Sequence, residues 1–197
     1  MMDDPLQDKS FDGIAGADAL QNLLRSAGTR PGPRPVDSWD PPYCGDIGLA
    51  ILADGSWEYQ GSLIARLAMV KLFASILRKD ADGRSYLVTP AEKVDCKVAD
   101  AHFLAVELAV SGSGASQVLT FRTNVDDVVT AGAEHPLRFA EQSESGGLKP
   151  YLLVRGRLEA LVTRAIYFDL VELAVAEDLA KDGDIGVWSS GMWWPLA

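Results

Sequence analysis

The fold turns on "RLEALVTRAIYFDLVELAV", residues 157–175. The stretch reads as one long helix, apolar on nearly every side, yet it carries Arg157 and Arg164. A guanidinium cannot shed its charge on burial, and an unpaired one in a core costs several kcal/mol. On a helix, Arg157, Ala160, Arg164, Tyr167 and Val171 form one stripe at i, i+3 and i+4 spacing. The two arginines would then stand about 10 Å apart along the axis, beside a phenol.

An earlier helix, predicted over 64–78, repeats the pattern. Leu63, Met69, Val70, Phe73, Ile76 and Leu77 share one arc, opposite Lys71, Ser75, Arg78 and Lys79, and Arg66 falls inside the apolar arc. Two readings stay open. The arginines pair with internal carboxylates such as Glu58, Glu107 or Asp169, or they line a cleft and hold an anion. Two charge-assisted contacts at about 1.5–3 kcal/mol each fall short of the roughly 8 kcal/mol of micromolar affinity. Stacking on Tyr151, Tyr167 or Trp188, about 1–3 kcal/mol per base, would supply the rest.

Between and around the two helices the rhythm is that of strands. Asp54-Gly55 separates two short alternating runs, a strong hairpin signal. "SYLVT", "EKVDCKV", "FLAVELAV", "QVLTFRTN" and "DDVVTAG" follow, then "PLRFAE", "PYLLVRG" and a final pair in "VWSSGMWWPL". Gly, Pro, Ser and Asp clusters divide them, which predicts antiparallel sheets and an α+β class. "GSLIARL" (61–67) aligns with "GRLEALV" (156–162) at Gly61/Gly156, Leu63/Leu158 and Ala65/Ala160. Two duplicated hairpin-helix-strand units, 95 residues apart, are therefore expected, with boundaries at 43–110 and 111–197. Residues 1–42 precede them as a mobile tail (1–15), a short helix (16–28) and a connector (29–42) holding five of the ten prolines.

Of the 197 residues 48% are apolar and 23% charged, as in a globular protein. The net charge of -10, with no basic block, argues against a nucleic-acid polymer as partner. No secretory signal and no uncharged run of roughly 18 apolar residues occurs, so a cytoplasmic protein without membrane contact is expected. Cys44 and Cys96 are expected to be reduced packing residues. Nothing points to a cofactor or a metal: the chain lacks a Walker loop, a nucleophile elbow and HExxH, and "SGSGAS" (111–116) reads as a hairpin loop.

The ordered set "PPYCGDI", "DGSWEYQGSLIARLAMVKLFASIL", "YLVTPAEKV", "FRTN", "AEHPLR", "PYLLVRGRLEALVTRAIYF" and "GVWSSG" resembles a bacterial family known as domain of unknown function family 1285, over roughly residues 39–196. The resemblance implies a duplicated two-part α+β fold whose C-terminal half is similar to pleckstrin-homology folds. It also implies a binding site between the halves for a nucleotide-like ligand and a role in signal transduction. Gly48, Ala50 and Leu63 depart from the family pattern.

The leading expectation is a non-catalytic binding or sensing module for a small anionic, nucleotide-like ligand between the units. Arg66, Arg122, Arg155, Arg157 and Arg164 would meet its charge, Asn124 and His135 would hydrogen-bond, and Tyr151, Tyr167 and Trp188 would stack. The alternative is a protein-interaction adaptor for a signalling protein, with an exposed Trp193–Trp194 pair in "GMWWPLA" as its anchor. A hydrolase using His135 with Asp126 or Asp127 has no motif behind it.

Overall fold

The computed structural model describes residues 12–27, 34–141, 147–176, 180–181 and 184–196. Helix α1, Asp12–Ala27, starts four residues before the expected helix and buries Leu23 and Ala27. The connector is described from residue 34 and contains one 3-10 turn, Val36–Ser38. It is held down by Arg78, which donates to the carbonyls of Val36 (2.7 Å) and Trp39 (2.8 Å).

The first sheet comprises β1 (Leu49–Ile51), β2 (Trp57–Tyr59), β3 (Ser62–Leu63), β4 (Leu77–Lys79), β5 (Ser85–Val88) and β6 (Lys93–Val98), with α2 (Leu67–Ser75) between β3 and β4. The second comprises β7 (Phe103–Ser111), β8 (Val118–Thr123), β9 (Val128–Thr130), β10 (Leu137–Glu141), β11 (Leu148–Arg155) and β12 (Leu158–Val162). Helix α3 (Arg164–Ala176) follows, then β13 (Ala180–Lys181), β14 (Asp184–Ser189) and β15 (Met192–Pro195), which form a small third sheet.

Both large sheets have the same plan. The first is ordered β3-β2-β1-β6-β5-β4 and the second β9-β8-β7-β12-β11-β10. In each, two three-stranded meanders join through their first and last strands, and that central pair is parallel: Leu49 lies opposite Cys96, and Phe103 opposite Ala160. The α+β class and a duplicated unit agree with this plan. The sheets are mixed, however, because each unit's two termini meet side by side. The unit boundary also moves. Strand β7 pairs with β8 and β12, so it opens the second unit, which therefore starts near residue 102 and not at 111.

The two long helices are corrected as well. Residues 157–175 split into a turn, a strand and a helix. Gly156, at φ +52°, turns the chain with Arg157, and Leu158, Ala160 and Val162 then alternate inward at period 2, with Glu159 and Leu161 between them. The helix begins only after Thr163, whose carbonyl accepts from Tyr167 N at 2.9 Å. The expected arginine stripe is thus broken, because Arg157 and Arg164 lie on opposite sides of a strand. Likewise 64–78 contains only the nine-residue α2, with Arg66 at its N-cap and Leu77–Lys79 returning as β4.

One apolar core runs through both units, from Leu49, Ile51, Trp57 and Phe73 to Phe103, Leu119, Phe121, Leu152 and Leu170. The β1–β2 hairpin tip wedges against the second unit. Gly55 sits at φ +78°, and a Cβ there would come within 2.8 Å of Leu104 Cδ1, so glycine meets both the backbone and the space requirement. Asn124 clamps the tip: Oδ1 accepts from Leu104 N (3.0 Å) and Nδ2 donates to Gly55 O (3.4 Å). Nearby, Arg155 donates to the Asp127 carboxylate and, at 2.7 Å, to the carbonyl of Ala74 at the end of α2. An Arg155→Leu change leaves the Asp127 carboxylate without its cation and removes the tie to the Ala74 carbonyl at a half-buried seam. It should cost about 2 kcal/mol and lower Tm by roughly 4–8 °C, read by calorimetry; Arg155→Lys should recover part of the loss.

Candidate functional site

The sequence-predicted residues separate into three groups. Arg122, Asn124 and Arg155 do come together at the seam between the units, where each is already engaged. Arg122 Nε donates to Glu107 Oε2 at 2.7 Å, its Nη2 to Glu107 Oε1, and its Nη1 to Asp126 Oδ1 at 2.8 Å. Lys71 of α2 reaches the same Asp126. The hydrogen bond from Lys71 lowers the Asp126 pKa, and that from Arg122 lowers the Glu107 pKa. Three cations, Lys71, Arg122 and Arg155, therefore meet three carboxylates, Glu107, Asp126 and Asp127. The seam is balanced in charge. Its turn is built by "TNVDD": Thr123, fully buried, accepts through Oγ1 from Asp127 N at 3.0 Å, and Asp126 takes a left-handed φ of +69°.

Tyr151 belongs to a second cluster that sequence reasoning missed. Its Oη donates to Asp100 Oδ1 at 2.6 Å, and Lys149 Nζ reaches Asp100 Oδ2 at 2.6 Å. The Arg138 guanidinium lies 4.4 Å over the Tyr151 ring and grips Glu159 with two bonds of 2.9 and 2.8 Å. Burial, then the Asp100 contact, push the Tyr151 phenol up to about 12. Behind this cluster lies His102, 4% exposed. Glu159 N donates to its Nδ1 at 3.2 Å, so the proton sits on Nε2 and is shared with Ser85 Oγ at 3.0 Å. Only the register Arg138–Tyr151 and Leu153–Glu159 across β10, β11 and β12 assembles these residues, and no local motif announces it.

The third group is dispersed. Arg66, Arg157 and Arg164 are exposed, with no ion pair among the described residues. Arg164 lies 5.5 Å from the exposed ring of Phe168. His135 donates through Nδ1 to Leu153 O at 3.1 Å, while Asp126 and Asp127 serve the seam, so the hydrolase pairing is not formed. Tyr167 Oη donates to Leu196 O at 2.8 Å. Trp188 meets Trp193 edge-on at 5.4 Å across β14–β15, and Trp194 is buried. The tryptophan pair is thus not an exposed anchor. Cys96 is buried, which pushes its thiol up to about 12, whereas Cys44 is exposed, unlike the packing residue expected.

What the second unit does leave open is a groove between α3 and the outer half of β7. It has a volume of about 430 Å³ and is lined by Leu108, Val110, Asp169, Glu172, Leu173 and Ala176. Helix α3 turns Ile166, Leu170 and Ala174 into the core, so Asp169, Glu172, Leu173 and Ala176 form a flank at i, i+3, i+4 and i+7. Asp169 and Glu172 are exposed and have no cation or hydrogen-bond partner among the described residues. Within those residues no group of three or more His, Cys, Asp or Glu could hold a metal, and no helix is long and apolar enough to cross a membrane.

Two family models match this chain in succession: "Domain of unknown function (DUF1285), N-terminal domain" over residues 34–101, and "Protein of unknown function (DUF1285), C-terminal domain" over 102–196. The chain belongs to the DUF1285 family. The join at 101/102 coincides with the passage from the first sheet to the second. A crystal structure of a DUF1285 family protein from Silicibacter pomeroyi DSS-3 is 47% identical, with a TM-score of 0.81 over 88% of this chain and 93% of that one. A DUF1285 family protein from Shewanella baltica OS155 is 28% identical, with a TM-score of 0.51 over 68% of this chain and 97% of that one. No curated protein matches.

His102 gives the cluster a pH signature. Burial, helped by the nearby charge of Lys79, pushes its pKa down to about 4, against about 6.5 in an unfolded chain. Between these values the unfolded state binds the extra proton, so stability is full above pH 6.5 and falls as the pH drops towards 4. The loss should approach roughly 3 kcal/mol. Urea midpoints measured from pH 7.5 to 4.5 should show this slope in the wild type and a shallower one in His102→Gln.

Proposed function

We propose that this DUF1285 protein is a non-catalytic interaction module, with a partner protein docking in the groove between β7 and α3. The observation that carries the reading is the groove itself. It is an open hollow beside a strand, lined by Leu108, Val110, Leu173 and Ala176 and by two carboxylates that no cation among the described residues satisfies. Pleckstrin-like architecture fits this use: the second unit is a curled meander joined by its β7–β12 pair and followed at once by a C-terminal helix, and such folds take peptides along a strand beside that helix. A role in signal transduction is in keeping with such a module. An anion between the units has less support, because it would have to compete with Glu107, Asp126 and Asp127 for the cations that should receive it.

A photo-crosslinking benzoylphenylalanine placed at Val110 in the native cell tests this. A discrete protein adduct is expected from position 110, absent from the more exposed control Val128 on β9, and removed by Ala176→Arg at the groove rim. Identical products from 110 and 128, or an adduct indifferent to Ala176→Arg, would refute the reading.

A further inference from the structure

We infer that the groove's partner supplies an extended segment that adds to the free edge of β7 as an extra strand, with apolar and basic side chains turned towards α3. This rests on the interaction reading and specifies its chemistry. Strand β12 pairs with β7 only from Phe103 to Ala105, and the chain then leaves the sheet to become α3. The β7–β8 ladder shifts register between Ala105 and Glu107, a bulge at Val106, and continues to Ser111. Glu107–Ser111 is therefore hydrogen-bonded to β8 on one side and to no described strand on the other. Alternate N–H and C=O groups of an antiparallel strand point to its outer side. Proteins seldom leave such a row uncovered.

The side chains agree with the backbone. Leu108 and Val110 lie opposite Phe121 and Leu119, both fully buried, so they continue the core face of the sheet. Here that face is only half covered, and Val110 is 43% exposed. A strand laid along Glu107–Ser111, about 17 Å long, would turn every second side chain over Leu108, Val110, Leu173 and Ala176. From the same side Asp169 and Glu172 would meet cations. The chain's net charge of -10 favours a basic segment at long range as well. A helix in the groove would satisfy the apolar surface and leave the strand edge bare.

The test uses the full-length protein and fluorescein-labelled nonapeptides, TVTKTVTKT and its acidic counterpart TVTETVTET, followed by fluorescence anisotropy. The basic peptide should bind at least tenfold more tightly, with the margin shrinking as salt is added. Asp169→Lys with Glu172→Lys, both on the exposed flank of α3, should reverse the order without changing Tm. Because one edge of the added strand pairs with β7, N-methylating alternate amides of TVTKTVTKT should abolish binding for one set of positions and spare the other. Equal binding of the two parent peptides, no binding of either at millimolar concentration, or an order unmoved by the double charge reversal would overturn the inference. Unaltered binding of both N-methylated forms would overturn strand addition. If the Val110 adduct persists while the peptides fail to discriminate, the strand chemistry is wrong and the interaction reading stands; loss of the adduct removes the reading itself.

Discussion

An arginine that is carried inward must arrive with its counter-charge, and the join between the two units is organised around that requirement. Arg155, on the last residue of β11, spans from Asp127 in its own unit to the carbonyl of Ala74 at the end of α2 in the other. One side chain thereby adds a charged donor to the end of α2 and neutralises a carboxylate. Arg122 and Lys71 repeat the device around Asp126. Lys71, Arg122 and Asp126 are more exposed than Arg155, so their individual pairs are worth little. Their joint geometry fixes how α2 rests on the β8–β9 turn, and with it the position of the Gly55 hairpin under Leu104.

Strands were the legible part of the fold, since Gly, Asp and Pro punctuate them and their alternation is regular. The helix boundaries were not. "LEALV" is apolar at period 2 and close to apolar at period 3.6, and Ala160 suits either structure, so the segment merges with the true helix unless Gly156 is read as a hairpin turn. Once Leu158–Val162 is a strand, the arginine stripe that suggested a cleft dissolves. Arg122, Asn124 and Arg155 lie at the join, on strand ends and a turn where polar side chains are readily accommodated. Their carboxylate partners come from other strands, and pairing across a sheet of mixed direction is written in no local pattern.

The groove was invisible for a related reason. Leu108 and Val110 look like ordinary core residues, and on the face they occupy they are; yet Leu108 is only partly buried and Val110 is exposed, beyond the point where β12 stops pairing with β7. Asp169 likewise looked like a partner for a buried arginine. On the structure it faces outward with Glu172, and the nearest argument for function is the mismatch between an apolar surface and two charges that meet no cation among the described residues. The seam, by contrast, has no such mismatch left.

The shared sheet plan has a consequence for how the chain is made. Because the first and last strands of each unit are neighbours at its centre, neither sheet can close until its final strand has been synthesised. Leu49 and Ile51, fully buried in the finished protein, wait uncovered on a short strand until β6 leaves the ribosome, and β7 waits in the same way for β12. Even a completed first unit emerges without the Arg155 bond to the Ala74 carbonyl, since Arg155 follows some eighty positions later. The nascent chain thus passes through two intervals in which a sticky strand lies open, and the period of greatest exposure to misassociation ends only when the last meander is threaded into place.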